Sequence, residues 1–150
     1  MTVEVALAML QREGRWLMQL RDDIPTIVAP GCWGLFGGHL DPGETPEQAL
    51  RRELLEEISW HPQQLKLAMV HRLPRRTAHV FRGLLTVPLI ELELLEGQDM
   101  ALVRAEELLA GSIWSHRLGA HRPLADGLLE VLQHVLQDPS SNQAAMDPFS

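Results

Sequence analysis

The 150-residue sequence is poor in several features that mark particular protein classes. It contains one cysteine, Cys32, and no tyrosine. A single cysteine cannot form an internal disulfide, which excludes a small secreted domain held together by disulfides. Thirteen Lys and Arg face twenty Asp and Glu, and the resulting net charge of −7 repels a phosphate backbone. We therefore expect no polymeric nucleic acid as a partner.

Long hydrophobic runs are also missing. Apolar stretches such as residues 84–90 are much shorter than the roughly 18 residues that a membrane-spanning helix needs. Residues 1–20 lack a basic leader and carry Glu4 within their apolar run, which is not typical of a secretory signal. We therefore predict no membrane partner and a reducing, cytoplasmic location.

The composition itself is that of a folded protein. Hydrophobic residues make up 45% of the chain and charged residues 22%, and the length suits one domain. Residues 138–150 are rich in Pro, Ser, Asn and Gln, which indicates a flexible C-terminal tail. The sequence thus predicts a single domain over residues 1–137.

Apolar spacing and turn residues predict the order of the elements. The expected strands are 2–10 and 16–20, which would form a hairpin, and then 33–36, 64–71, 77–87 and 100–103. The expected helices are 46–59, 105–110 and 123–137. Thr45 should cap the first helix, with Pro46 at its first position. This order predicts an α/β fold with a mixed β-sheet between helices.

Three glutamates fall on one face of the first predicted helix. Residues three or four apart are neighbours on a helix, which brings together Glu53, Glu56 and Glu57. Like charges at this spacing destabilise a helix. A hard divalent cation such as Mg²⁺ or Mn²⁺ would offset the repulsion and would favour an anionic substrate.

The alternative is an ordinary solvated helix surface. That surface would carry the ion pairs Glu47–Arg51 and Arg52–Glu56. It leaves the preceding glycines unexplained. Gly37 and Gly38 permit close backbone approach, and Gly43 permits a turn before Glu44. A loop built this way could present a backbone carbonyl to the same cation.

Residues 38–60 resemble the Nudix box, whose pattern is GX5EX7REUXEEXGU. The matching residues are Gly38, Glu44, Arg52, Glu53, Glu56 and Glu57, with Leu54 and Trp60 at the two bulky positions. Ser59 stands where the family usually has glycine, so a non-glycine residue must take the left-handed cap. Residues 33–38 are similar to the family's Trp-x-x-Pro-Gly-Gly segment, with Phe36 in place of proline.

The resemblance implies a Nudix-type α/β/α sandwich and a hydrolase that cleaves a diphosphate linked to another moiety. It also implies Mg²⁺ or Mn²⁺ as cofactor. The implied catalytic residues are Arg52, Glu53, Glu56 and Glu57. The implied metal ligands are Glu53, Glu56, Glu57, Glu96 and a backbone carbonyl of Gly37 or Gly38. Glu44 and Gly43 would have structural roles in the motif.

Glu96 enters this set because residues 95–98 resemble a Glu-Gly-Gln segment of MutT-like members. The alternative for Glu96 is a solvated loop acid. Arg21 and the arginines within 71–82 are candidate phosphate-binding residues, with ordinary surface as the alternative. Phe36 and Phe81 could stack on a base or belong to the core. Asp126 corresponds by resemblance to a residue that reads a purine edge.

The leading prediction is hydrolysis of a nucleoside triphosphate, with oxidised purines such as 8-oxo-dGTP as candidate substrates, to a monophosphate and pyrophosphate. The alternatives are a nucleotide-sugar or ADP-ribose pyrophosphatase and a non-catalytic nucleotide sensor. The missing tyrosine removes the residue associated with diadenosine polyphosphate hydrolases. The expected partner is a small nucleoside diphosphate derivative, bound by a monomer or a homodimer.

Overall fold

The computed structural model describes residues 2–137, and the predicted tail lies outside this range. The described residues form nine strands and three helices, joined in part by a 3₁₀ turn at Leu89–Glu91. The strands are β1 Val3–Arg12, β2 Arg15–Leu20, β3 Trp33–Gly34, β4 Phe36–His39, β5 Lys66–Arg72, β6 Arg76–Leu84, β7 Asp99–Arg104, β8 Ser112–Ser115 and β9 Ala120–Pro123. The helices are α1 Pro46–Ile58, α2 Ala105–Leu109 and α3 Leu128–Gln137.

Strand β1 is the centre of a seven-stranded mixed sheet. It runs parallel to β6 along nearly its whole length. On its other side it pairs antiparallel with β4 in its first half and with β2 at its end. Strands β3 and β7 extend the sheet from β2, and β5 from β6. The predicted mixed sheet is therefore confirmed.

Alternating side chains of the sheet are buried on both faces. On one face Ala6 and Leu10 of β1 pack with Leu50 and Leu54 of α1. The opposite face of the sheet packs against α2 and α3. Burying an aliphatic side chain of this size contributes about 1.5–3 kcal/mol, so each layer is held mainly by apolar contact. This arrangement is the predicted α/β/α sandwich.

Helix α1 begins and ends as the sequence predicts. The Thr45 hydroxyl accepts the Gln48 amide at 3.2 Å, and the Gln48 side chain accepts the Thr45 amide at 2.9 Å. Ser59 takes the left-handed conformation, with φ 54° and ψ 45°, and its amide donates to Leu55 O at 3.0 Å. The capped ends fix how far α1 extends past the sheet and therefore where its glutamates lie.

Two predictions about the chain between β2 and α1 are wrong in detail. The predicted single strand 33–36 is two strands, since Leu35 lies between β3 and β4. Gly37 and Gly38 lie within β4, opposite Leu7 and Ala6 of β1, and not in a loop. The sheet partner supplies order that two adjacent glycines do not show in the sequence.

The C-terminal part also differs from the prediction. Helix α3 begins at Leu128 and not at Pro123, because Pro123 ends strand β9 and Gly127 has φ +81° before the helix. Strands β8 and β9 form a hairpin that the sequence reasoning missed. Its cross-strand pair of Trp114 and His121 has ring centroids 5.2 Å apart. No helix within residues 2–137 is long and apolar enough to cross a membrane.

Candidate active site

The centre of the site is the buried carboxylate of Glu57. Glu57 is 2% exposed, although it projects from a helix that carries several charges. The Gly37 amide donates a hydrogen bond to Glu57 Oε1 at 2.8 Å. Burial raises the pKa of Glu57 to about 8, and the negative charges of Glu96 and Glu53 act in the same direction. Such a carboxylate is costly to bury unless a cation compensates its charge.

The two glycines of β4 lie at close approaches, Gly38 to a carboxylate and Gly37 to the backbone of β1. A β-carbon on Gly38 would lie 2.6 Å from the carboxyl carbon of Glu53, closer than any real contact. A β-carbon on Gly37, where φ is +139°, would collide with the Ala6 carbonyl oxygen of β1. Gly38 therefore lets α1 bring Glu53 against the strand, and Gly37 lets β4 lie close to β1.

Arg52 connects the acidic side chains around it. Its Nε and Nη2 donate to the two oxygens of Glu44 at 2.8 and 2.9 Å. Its Nη1 donates to Glu53 at 3.0 Å and its Nη2 to the His39 carbonyl at 3.0 Å. A planar guanidinium can serve all these acceptors at once, so Arg52 fixes the orientation of Glu53.

Glu44 joins the loop before α1 to the helix. Besides its two bonds from Arg52, it accepts the Asp41 amide at 2.7 Å. The Arg52 hydrogen bonds lower the pKa of Glu44 to about 2, so the ion pair is present at all neutral pH values. Gly43, with φ +84°, forms the turn between them. Glu44 therefore joins the loop to α1 by hydrogen bonds, and Gly43 joins it by a turn.

The ion pairs of the solvated-surface alternative are present as well. Arg51 contacts Glu47 at 3.0 Å, and Arg52 contacts the exposed Glu56 at 3.4 Å. These pairs lie on the outer face of α1, whereas Glu53 and Glu57 line a cavity. The helix therefore has an ordinary charged surface and an acidic face, and Arg52 connects them because its Nη1 donates to both Glu56 and Glu53. Glu56 is not among the residues that line the cavity.

The cavity has a volume of about 520 Å³, within the usual range for small-molecule sites. Apolar side chains of β1 and α3 form much of its lining. Four carboxylates line it, and we call three of them, Glu53, Glu57 and Glu96, the acidic wall; the fourth belongs to Asp126. Three guanidinium groups also line it, and we call Arg21, Arg75 and Arg76 the basic wall.

The segment that carries Glu96 is attached to β2. Gln19 Nε2 donates to the Glu96 carbonyl at 3.0 Å, and Gln98 Nε2 donates to the Arg21 carbonyl at 2.9 Å. Gly97 has φ +105°, and a β-carbon there would approach the Gln19 side chain at 3.0 Å. The Gln19 side chain thus holds Glu96 of the acidic wall, and the Gln98 side chain holds Arg21 of the basic wall. No signal in the sequence pointed to Gln19.

The predicted substrate-binding residues divide into two groups. Arg21 and Asp126 line the cavity. Phe36 and Phe81 are 1% and 6% exposed and pack with α1 in the core on the other side of the sheet. This placement favours the core alternative for the two phenylalanines and leaves Arg21 and Asp126 as candidates.

The donor set of the acidic wall fits a hard divalent cation. Carboxylate oxygens are the ligands that Mg²⁺ and Mn²⁺ prefer. Glu53, Glu57 and Glu96 act on one another through their charges, and burial also raises the pKa of Glu53. Within residues 2–137, no three His, Cys, Asp or Glu side chains already surround a common point. The fit to a divalent cation therefore rests on the oxygen ligands and on the electrostatic repulsion among the three carboxylates.

Comparisons with known proteins identify the family of the chain. The family model described as NUDIX domain matches residues 1–121. The chain is 42% identical over 55 residues to the nucleoside triphosphatase NudI of Escherichia coli O1:K1, a match that spans 36% of this chain and 38% of that protein. The aligned part therefore covers well under half of this curated relative.

Solved structures share the whole fold. A MutT NUDIX hydrolase from Burkholderia pseudomallei has a TM-score of 0.69 at 22% identity, over 90% of this chain and 98% of that one. A MutT protein from Methanosarcina mazei Go1 has a TM-score of 0.68 at 19% identity, over 95% and 96%. Because a family model matches most of its length, the chain belongs to the NUDIX domain family.

Proposed function

We propose that the protein is a divalent-metal-dependent pyrophosphohydrolase that cleaves a nucleoside triphosphate to a monophosphate and pyrophosphate. The observation that carries the proposal is the meeting of the Glu53 and Glu57 carboxylates with the backbone of Gly37 and Gly38 at one cavity. That cavity is of nucleotide size and also contains the basic wall. Carboxylates to bind a cation and cations to bind phosphates are the parts that this reaction needs.

The acidic wall would hold Mg²⁺ or Mn²⁺, with a backbone carbonyl of Gly37 or Gly38 as a further ligand and Glu56 reaching in from the helix surface. The bound cation would neutralise the diphosphate and lower the pKa of a water molecule. Glu53 orients or deprotonates the attacking water. Its position is fixed by the Arg52 guanidinium, 3.0 Å away, and by the absence of a side chain on Gly38.

The substrate class is supported by two independent features. The relative with 42% identity over the matched segment is named a nucleoside triphosphatase. The basic wall offers charges for more phosphoryl groups than the cleaved diphosphate alone requires. We propose that Asp126 contacts the base, since it lines the cavity in the turn before α3. Oxidised purine triphosphates such as 8-oxo-dGTP belong among the substrates to be tested.

The test is a hydrolysis screen of the purified chain. The panel comprises the common nucleoside triphosphates, 8-oxo-dGTP, ADP-ribose and a nucleotide sugar, each with Mg²⁺, with Mn²⁺ and with a chelator. We expect metal-dependent release of pyrophosphate from a triphosphate, identified by chromatography of both products. Preferred cleavage of ADP-ribose or the nucleotide sugar would replace the proposed substrate class. Nucleotide binding by calorimetry without turnover would identify a sensor and contradict the enzymatic proposal.

A further inference from the structure

Within residues 2–137, no arginine of the basic wall forms an ion pair with a carboxylate. Five other arginines each form an ion pair with a carboxylate. These are Arg51, Arg52, Arg104, Arg117 and Arg122. In the part of the chain that the structure describes, neither Arg75 nor Arg76 has a side-chain hydrogen bond or an ion pair. Arg21 donates only to a neutral acceptor, the Val28 carbonyl, at 2.7 Å.

Arg76 is the most unusual of the three. It is half-buried at the start of β6, opposite Val3 of β1, and it lines the cavity. Its Nε is fully buried, and no acceptor in residues 2–137 bonds to it. Burial, together with the nearby charge of Arg21, lowers the pKa of Arg76. A buried donor with no acceptor is rare in folded proteins, and it generally indicates that another group supplies the acceptor.

Arg21 is the member of the basic wall whose charge also acts on the acidic wall. Its charge acts on Glu57 of the acidic wall and also on Arg76 of the basic wall. Its hydrogen bond to the Val28 carbonyl holds its side chain in place. The hydrogen bond from Gln98 to the Arg21 carbonyl ties the same residue to the Glu96 segment. A phosphate chain that is bound at the acidic wall and also reaches Arg76 would therefore pass Arg21.

We propose that Arg21, Arg75 and Arg76 form an anion-binding subsite. This subsite lies apart from the acidic wall and binds a phosphoryl group of the substrate. This proposal depends on the proposed function in one respect, because only that function identifies the bound anion as part of a substrate. Its anion affinity is a property of the three arginines and needs no divalent cation. A phosphoryl group would accept the buried Nε–H of Arg76 and would neutralise two adjacent guanidinium groups.

The test is a calorimetric titration with inorganic pyrophosphate in a chelated, metal-free buffer. We expect saturable binding to the wild-type chain and at least about tenfold weaker binding to Arg76→Gln, because a charge-assisted hydrogen bond is lost. Arg75→Gln should weaken binding in the same direction. This second variant changes an exposed side chain, so it keeps the test valid if Arg76→Gln does not fold.

The matched control is Arg72→Gln. Arg72 is exposed on the same β5–β6 hairpin, does not line the cavity, and its replacement changes the net charge equally. Binding to this variant should stay within twofold of wild type. No binding by wild type, or equal affinities for all variants, would overturn the subsite.

The outcome is separable from that of the proposed function. A wild-type chain that binds pyrophosphate through Arg76 but hydrolyses no nucleotide retains the subsite and contradicts the enzyme. A chain that hydrolyses triphosphates while its Arg75→Gln and Arg76→Gln variants bind pyrophosphate as wild type does retains the enzyme and contradicts the subsite.

Discussion

The two walls of the cavity show two ways of placing charge at a site. On the acidic wall Glu53 is held by Arg52, and Glu57 by the Gly37 amide, at 3.0 and 2.8 Å. On the basic wall Arg75 and Arg76 have no such side-chain partners within residues 2–137. Glu53 and Glu57 are therefore fixed before any ligand arrives, whereas Arg75 and Arg76 are left for the ligand to pair with.

This difference separates the work that each wall does. Positioning matters most where bonds are made, because a small displacement of a reacting group is expensive. Binding charge along a phosphate chain tolerates more freedom. Changes to the acidic wall should therefore reduce turnover, and changes to the basic wall should reduce affinity.

The largest expected effect is that of Glu53→Gln, which keeps the shape and removes the charge that orients the water. We expect the turnover number with Mg²⁺ to fall by about 10²–10⁴, the range for loss of a general base. Steady-state hydrolysis of the best substrate from the screen measures it. The control Glu47→Gln, on the outer face of α1, should retain wild-type turnover. Unchanged turnover in Glu53→Gln would remove Glu53 from the mechanism.

The next effect is that of Gly38→Ala, which adds a methyl group 2.6 Å from the Glu53 carboxyl carbon. We expect turnover to fall by about 10², since Glu53 must move. Gly34→Ala is the matched control, because a β-carbon there meets its nearest atom at 3.7 Å, an ordinary contact. Circular dichroism should show that both variants fold. Equal turnover in the two variants would contradict the role of the close approach.

A smaller loss is expected from Arg52→Lys. Lysine keeps the positive charge but cannot donate to Glu44, Glu53 and the His39 carbonyl together. We expect turnover to fall by about tenfold while the KM for the nucleotide changes little. Arg51→Lys on the same helix should behave as wild type. A change confined to KM would place Arg52 in substrate binding instead.

The last prediction concerns how the free energy of unfolding depends on pH, and not turnover. Burial raises the pKa of Glu57 from its ordinary value of 4.5 to about 8, so between these pH values the folded chain binds more protons than the unfolded chain. Stability without metal should therefore fall as pH rises from about 4.5 to 8. Thermal unfolding in chelator should show Tm falling by roughly ten degrees over this window, because each pKa unit corresponds to about 1.4 kcal/mol of stability. Glu57→Gln should flatten the profile, and an unchanged slope would contradict the assignment.

The two walls also differ in how well the sequence predicts them. Glu53 and Glu57 could be predicted because they lie on one helix, where helical spacing fixes which side chains are neighbours. The same spacing also selected Glu56, which does not line the cavity. The ends of α1 were predicted for the same reason, since Thr45 and Ser59 act through local hydrogen bonds. Helical spacing and capping preferences are sufficient for prediction when all the interacting residues lie in or next to one helix.

The basic wall could not be assembled in this way. Arg21 follows β2 and Arg76 begins β6, and they meet only because β1 lies between these strands in the sheet. The positions of Phe36 and Phe81 also depend on strand register, which places both on the α1 side of the sheet. The β8–β9 hairpin was missed because Trp114 and His121 are neighbours only once its turn has formed.

The most direct test of the account is a titration with Mn²⁺, followed by the electron paramagnetic resonance signal of the free ion. The account predicts saturable binding by the wild-type chain, affinity at least about tenfold lower in Glu53→Gln and Glu57→Gln, and unchanged affinity in Glu47→Gln. A wild-type chain that leaves all Mn²⁺ free, or four chains of equal affinity, would contradict a metal site at the acidic wall.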